Sequence, residues 1–294
     1  MPSFVVPELL AETAASEPAV SSWLTELPGI VAGLAERWSL AIADPFRPGG
    51  HCAWVAPVTD RSGTDLVLKV AFRFSTAEER DEAAGLRVWD GNGSVRLHAV
   101  HDGQSCSALL LERCLPGTPL AASLPEPEQD PIVAGLLRQL WAAPLDGYPF
   151  RPLAQMCEQW ADRFEEEYLA EAERLDPGLS RDGIALFREL PRTAPSQALL
   201  CTDLHAENIL RAQRAAWLVV DPKPYVGDPA YDVLQHMLNC DRLETDPVGL
   251  ADRMASLAGL DRDRVRQWLF ARAVQESPGW PLMHTVACRL AARL

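Results

Sequence analysis

The sequence predicts an α+β chain of two unlike lobes, a small, mostly antiparallel one in front and a larger, mainly helical one behind. Three observations carry that prediction. Before residue 115, short segments rich in Val, Ala and aromatics alternate with turn signals, the pattern of strands joined by tight turns. The segment LPGTPLAASLPEPEQDP, Leu115 to Pro131, is turn-rich and divides the chain. Beyond it, apolar residues recur at steps of three and four, the spacing of helices with one buried face. Residues 1–114 are therefore expected to form an N-terminal lobe, and residues 115–294 a C-terminal lobe.

In chain order, a helix is expected over Ser21 to Trp38, then strands at AIADPF, HCAWVAPV and DLVLKVAF, separated by PGG and DRSG. A polar helix follows from Thr76 to about Trp89, ended by GNG, and then strands at SVRLHAV and SALLLERC. In the second part Leu153, Cys157, Trp160, Phe164, Tyr168, Ala172 and Leu175 trace one apolar stripe. The stretch from Glu158 to Asp176 reads as one acidic helix, with eight acids against two arginines. Its bland reading is a solvated face; its functional reading is a wall that recognises amino or guanidino groups. Further helices are expected over Asp228 to Cys240, Pro247 to Leu257 and Asp261 to Val274. A junction between unlike lobes is where a ligand-binding cleft is expected.

Composition narrows the function. With 294 residues, 48% of them hydrophobic, the chain can bury a substantial core. The formal charge of -14 opposes nucleic acid, whose phosphates need clustered basic side chains, and favours a cationic small molecule. The first basic residue is Arg37, and no apolar run approaches the ~20 residues needed to cross a bilayer, so a cytoplasmic protein with no membrane partner is expected. Seven cysteines without a CxxC pair argue for reduced, mostly buried thiols rather than disulfides or structural zinc. Of 27 basic residues only Lys69 and Lys223 are lysine. A chain that otherwise uses Arg places a compact, flexible ammonium at two positions.

Those two positions flank the most chemically dense part of the sequence. In CTDLHAENIL, Asp203 and Asn208 stand as D-x-x-x-x-N, and Asp221 closes WLVVD 13 residues later. The interval has the length of a hairpin, which would return Asp221 to Asn208. Phosphoryl transfer calls for such a set: a carboxylate to orient the attacking hydroxyl and accept its proton, and hard oxygens for magnesium on the nucleotide phosphates. Asp203 suits the first role; Asn208 and Asp221 suit the second. Upstream, Lys69 closes VLK and Glu82 follows 13 residues later, a spacing that suits a strand lysine on the α and β phosphates held by a helix glutamate. Glu78 and Glu79 are alternative partners for Lys69. Lys223 could touch phosphate or substrate, or pair with a nearby acid. In VGDPAYD, Asp228 reads as a helix N-cap, and Asp232 could face the acceptor as a substrate-binding residue.

The chain resembles the aminoglycoside phosphotransferase family, and within it the streptomycin 6-kinase and hydroxyurea phosphotransferase group. The matching stretches are PGGHCAWVAPV, LVLKVAF, EAAGLRVWDGNGSVRL, LLLERCLPGTPL, CTDLHAENIL and VVDPKPYVGDPAYDV. The resemblance implies a bilobal, protein-kinase-like fold, with residues 1–114 as the nucleotide-binding lobe and 115–294 as the catalytic and substrate-binding lobe, and ATP-dependent, magnesium-assisted phosphorylation of a small-molecule hydroxyl; a monomer or weak dimer is expected. It also implies Asp203 as base, Asn208 and Asp221 as metal ligands, Lys69 and Glu82 as the phosphate pair, and backbone around Glu112 to Cys114 for adenine. Gly49 and Gly50, in PGG, stand where a nucleotide-covering loop belongs; they are far short of a full glycine-rich motif and equally fit a plain turn. The chain has Cys201-Thr202 where the family usually has His-Gly, which bears on the geometry of the loop. Two rivals remain: a non-catalytic relative that binds nucleotide or antibiotic without turnover, and a hydrolase using Cys201 beside His205 and Asp203.

Overall fold

The computed structural model describes residues 4–73, 78–168 and 175–293, with the side chains of 78–80 and 168 left out. The chain forms two compact units: Met1–Gly117 with Ala212–Arg214, and Thr118–Arg211 with Ala215–Leu294.

The first unit is built on a five-stranded antiparallel sheet of order β1-β2-β3-β5-β4, where β1 is Ala41–Ile42, β2 Ala53–Thr59, β3 Asp65–Phe72, β4 Leu97–Asp102 and β5 Cys106–Glu112. Strand alternation sorts the side chains by face. Trp54, Ala56 and Val58 of β2 and Leu66, Leu68 and Val70 of β3 are buried in one core, with Trp23, Leu27, Val31 and Leu34 of helix α2 (Pro18–Trp38). Val67, Lys69 and Ala71 therefore point to the other face. Register places Lys69 between Val55 of β2 and Leu109 of β5. Helix α3 (Glu78–Trp89) carries Glu82; the expected start of this helix at Thr76 lies outside the described residues.

Two features of this unit depart from expectation. Helix α1 (Glu8–Ser16) precedes α2 and buries only Leu10, so its sequence carries little periodic signal. The segment AIADPF contributes only a two-residue strand; Pro45 has no N–H to continue a ladder, although Phe46 N still donates to Val55 O.

The second unit begins with α4 (Leu120–Ser123), α5 (Glu126–Trp141), α6 (Leu153–Tyr168) and α7 (Pro177–Glu189). Two short ribbons follow. Strand β6 (Ala198–Leu200) pairs with β9 (Tyr225–Gly227), and β7 (Ile209–Arg211) with β8 (Trp217–Val219), both antiparallel. The chain ends in α8 (Pro229–Asp232), α9 (Leu234–Leu238), α10 (Arg242–Thr245), α11 (Pro247–Ala258), α12 (Arg262–Glu276) and α13 (Leu282–Ala291). Helix α12 is central, with Val265, Trp268, Leu269 and Phe270 buried. Gly183 of α7 permits its close approach, since a Cβ there would lie 2.4 Å from Val274 Cγ2.

The apolar stripe of α6 is seen through Leu153, Cys157 and Phe164, all buried; the side chain of Tyr168, and Ala172, fall outside the described residues. The stretch Glu158 to Asp176 is not one helix: α6 ends at Tyr168, and Asp176 caps α7 by accepting from Gly178 N and Leu179 N. The expected helix over Asp228 to Cys240 is likewise two short ones, α8 and α9. Asp228 caps the first, accepting from Ala230 N, and is also held by Arg264 and Trp268. Among the described residues, no helix is long and apolar enough to cross a membrane.

Candidate active site

In the first unit Lys69 Nζ donates to both carboxylate oxygens of Glu82, at 2.8 Å each, with side chains 12% and 7% exposed. The pair is formed as the spacing predicts; the side chains of Glu78 and Glu79, the alternative partners, lie outside the described residues. Sheltered from water, an ammonium and a carboxylate are costly apart and hold one another in a fixed place.

Glu112, at the end of β5, is locked by its side chain. Arg214 donates to both of its oxygens at 2.8 and 2.9 Å, and Arg96 N donates to Oε2 at 2.9 Å. Burial alone would raise its pKa; these donors hold it below the ordinary value. Arg214 also donates to the carbonyls of Gly91 and Ser94. Glu112 thus serves as an anchor for the strand end, and Arg214 is a residue that sequence reasoning missed, 102 positions away. Cys114 is buried, which pushes its thiol up to about 12 and leaves it inert. Gly49 has φ +83, and a Cβ there would lie 2.4 Å from Pro7 Cβ, so packing against the N-terminal segment accounts for it; a Cβ at Gly50 would make only an ordinary contact, 4.0 Å from Ala53 O.

In the second unit the loop after β6 carries the densest polar cluster. Asp203 N donates to Cys201 O at 2.8 Å, and Asn208 N to His205 O at 2.9 Å across a single 3-10 turn, Ala206–Asn208. Asn208 Nδ2 donates to Asp203 O at 3.0 Å, so the amide turns its Oδ1 away from that contact. The interval from Ile209 to Val219 is a hairpin, and Val220 N donates to Asn208 O at 2.9 Å. Asn208 and Asp221 accordingly stand at the two ends of one ribbon.

Beneath this loop lies Asp232, 1% exposed. Its Oδ1 accepts from Thr202 N at 2.6 Å, and its Oδ2 from Cys201 N at 3.0 Å and Trp141 Nε1 at 2.8 Å. Burial raises its pKa to about 6 against the pull of those three donors. The expectation that Asp232 binds substrate is thereby corrected: the carboxylate faces inward and fixes the two residues before Asp203. Its place in the interior was hidden because the helix spacing from Asp228 does not say which way α8 turns.

Thr202 answers the question raised by Cys201-Thr202. It has φ +51, in the left-handed region where glycine is free of strain and a β-branched residue is not. Its hydroxyl donates to Lys223 O at 2.5 Å, and Lys223 N donates to Cys201 O at 2.9 Å, so the loop keeps its path by cross-bonding rather than by glycine. Cys201 is fully buried and its thiol pKa is pushed well above the ordinary value, which removes it as a nucleophile. Cys106, Cys157 and Cys240 are also buried, whereas Cys52 and Cys288 are exposed. His205 Nε2 lies 4.0 Å from Asp203 Oδ1; burial lowers its pKa, so the ring is neutral near pH 7.

Asp221 has φ +52, and its Oδ1 accepts from Lys223 Nζ at 2.6 Å. The donor set formed by Asn208 and Asp221, an amide oxygen and a carboxylate, is hard oxygen of the kind magnesium takes, and the carboxylate already holds a cation. Elsewhere Asp130, His236 and Cys240 lie close enough together for a metal. The oxygens of Asp130 are, however, taken by His236, Arg242 and Arg253, which makes this a buried ion network. The acidic face of α6 is also largely paired: Glu158, Asp162 and Glu165 all accept from Arg188 of α7, and Arg192 donates to Glu158.

A two-unit α+β fold with a lysine–glutamate pair in the sheet unit and a D-x-x-x-x-N…D set in the helical unit defines a kinase of small molecules. Comparison with known proteins agrees. The chain matches over residues 37–282 the family described as aminoglycoside/hydroxyurea antibiotic resistance kinase, and it belongs to that family. It is 37% identical to the hydroxyurea phosphotransferase of Kitasatospora aureofaciens over 257 residues, 85% of this chain and 72% of the relative. It is 32% identical to the streptomycin 6-kinase of Streptomyces glaucescens over 263 residues, 87% of this chain and 83% of the relative. Among solved structures, aminoglycoside phosphotransferase APH(4)-Ia in ternary complex with ADP and hygromycin B aligns with TM-score 0.62 at 16% identity, covering 89% of this chain and 96% of that one. The shared fold is kinase-like.

Proposed function

We propose that this kinase transfers the γ phosphoryl group of ATP, with magnesium, to a hydroxyl of an aminoglycoside such as streptomycin, with hydroxyurea as the second acceptor to assay. The observation that carries the reading is the loop in which Asp203 is fixed by its neighbours while Asn208 and Asp221 stand at the ends of one hairpin. Asp203 orients the acceptor hydroxyl and takes its proton. Asn208 and Asp221 would hold magnesium, which when bound neutralises charge on the phosphates. Lys69, held by Glu82, serves the α and β phosphates. Backbone around Glu112 to Cys114 receives adenine, and Gly50 lets the chain approach phosphate closely.

The formal charge of -14 favours a cationic acceptor through long-range attraction. Arg188 and Arg192 take up much of the charge of α6, so the preference for a polycation rests on the whole chain rather than on that helix. The likeness to a hydroxyurea phosphotransferase keeps the small neutral acceptor in the assay. A cytoplasmic monomer or weak dimer that binds neither nucleic acid nor membrane completes the proposal. The test is mass spectrometry for a gain of about 80 Da on streptomycin, other aminoglycosides and hydroxyurea incubated with protein, ATP and magnesium. Asp203→Ala should lower the rate by about a thousandfold or more; a near-normal rate would remove Asp203 as the base.

A further inference from the structure

Lys223 has no part in the roles assigned above, yet its surroundings are specific. It is one of two lysines in a chain with 25 arginines, and the other, Lys69, serves in the phosphate pair. Its backbone is pinned at both ends: N donates to Cys201 O at 2.9 Å, and O accepts from Thr202 Oγ1 at 2.5 Å. The Cα is thus tied to the two residues before Asp203. Its tip is not buried. The side chain is 36% exposed, and its Nζ makes a 2.6 Å bond to Asp221 Oδ1, on a carboxylate side chain itself 42% exposed. A fixed root with an accessible head is the form of a side chain that changes partner.

The electrostatics supply a reason for the change. Asp203, Glu207 and Asp221 bring three carboxylates to this loop. A polyanionic nucleotide drawn toward them needs positive charge close to the group being transferred. An arginine at 223 would grip Asp221 through a two-point fork and keep it from a metal; an ammonium makes a point contact that a divalent cation can displace.

We propose that Lys223 is a further catalytic residue, which neutralises Asp221 until metal and nucleotide arrive and then moves its ammonium to an oxygen of the γ phosphoryl group. The inference rests on the phosphotransfer reading. In the step it assists, the acceptor oxygen forms a bond to Pγ and the bond from Pγ to the β–γ bridging oxygen breaks. That oxygen leaves on ADP with the bonding pair, the hydroxyl proton passes to Asp203, and Lys223 keeps its own proton throughout.

The experiment compares wild type, Lys223→Met and Lys223→Arg in the full chain, each checked for an unchanged melting profile. Manganese binding, with and without ADP, is read by electron paramagnetic resonance, and kcat and KM for ATP by ADP release. Removing a half-exposed competitor should tighten manganese about threefold in Lys223→Met, and the guanidinium of Lys223→Arg should weaken it. Lys223→Met should also lose about a hundredfold in kcat, with KM for ATP within about threefold, and arginine should not restore kcat. Manganese bound no tighter by Lys223→Met than by wild type would make the contact a support for Asp221 and overturn the exchange. A kcat within threefold of wild type would overturn the catalytic part. Should wild type phosphorylate none of the acceptors, the phosphotransfer reading fails by itself, and the manganese comparison still decides the exchange.

Discussion

Replacing Asp232 by Asn tests the structure at its most informative point. Three donors converge on this carboxylate: Trp141 Nε1, Cys201 N and Thr202 N. An Asn side chain has a single acceptor oxygen. If it keeps the two donors now on Oδ2, its NH2 group is turned toward Thr202 N–H, so one short bond is lost and a buried donor is left unmet. That costs about 2–3 kcal/mol. In a chain this long it should lower the melting temperature by roughly 4–8 °C. The same change frees Thr202, and through it Asp203; a displacement of about 1 Å at a reacting group costs about a hundredfold in rate. Expected, then, is a kcat about 10- to 100-fold down with KM for ATP nearly unchanged. The pH dependence separates this from general loosening. Protonation of Asp232, at a pKa raised by burial to about 6, leaves Oδ1 a poorer acceptor for Thr202, so wild-type kcat should fall as pH drops through about 6. Stability runs the other way. A folded-state pKa raised from 3.8 to about 6 means that the fold binds the proton more tightly than the unfolded chain. The contribution of this group is then full below about pH 4 and lost as pH rises through about 6, by about 3 kcal/mol. The amide introduced by Asp232→Asn cannot titrate, so the variant should lack both the limb in kcat and this component of stability. Steady-state ADP release and thermal melts from pH 4 to 8 measure the two effects. A variant with kcat within threefold of wild type and the same acid limb would refute the reasoning.

Two other perturbations have distinct signatures. Glu82→Gln weakens the hold on Lys69 in a pair whose side chains are 12% and 7% exposed, so KM for ATP should rise about tenfold while kcat falls less; initial rates over a range of ATP concentrations decide this. Arg214→Ala removes the fork on Glu112 and leaves the Gly91 and Ser94 carbonyls without that donor, which should cost about 2–4 kcal/mol in chemical denaturation and raise KM for ATP, whereas Arg214→Lys should recover only part of either.

Much of the arrangement was legible because it follows local rules. The strand DLVLKVAF pairs over its full expected length, since alternation along it is clean and the turn DRSG fixes its start. Lys69 and Glu82 could be paired because a strand and the helix after it bring those positions together over 13 residues. The hairpin between Asn208 and Asp221 was legible from its length alone. What stayed hidden depends on contacts distant in sequence. Arg214 meets Glu112 across 102 positions, and Asp232 meets Trp141 across 91; neither residue type nor spacing encodes such a partner. The inward turn of Asp232 also required the break between α8 and α9, which a continuous apolar pattern from Tyr231 to Leu238 conceals. Thr202 departs visibly from His-Gly, but its compensating bond to Lys223 O lies 21 residues away.

The thiol inventory has a practical side. Five of the seven cysteines are buried, and the two at the surface, Cys52 and Cys288, lie one in each compact unit. A maleimide dye pair should therefore attach at those two places without any engineering of the chain. Energy transfer between the dyes would then report, in the native sequence, whether nucleotide or acceptor alters the separation of the units.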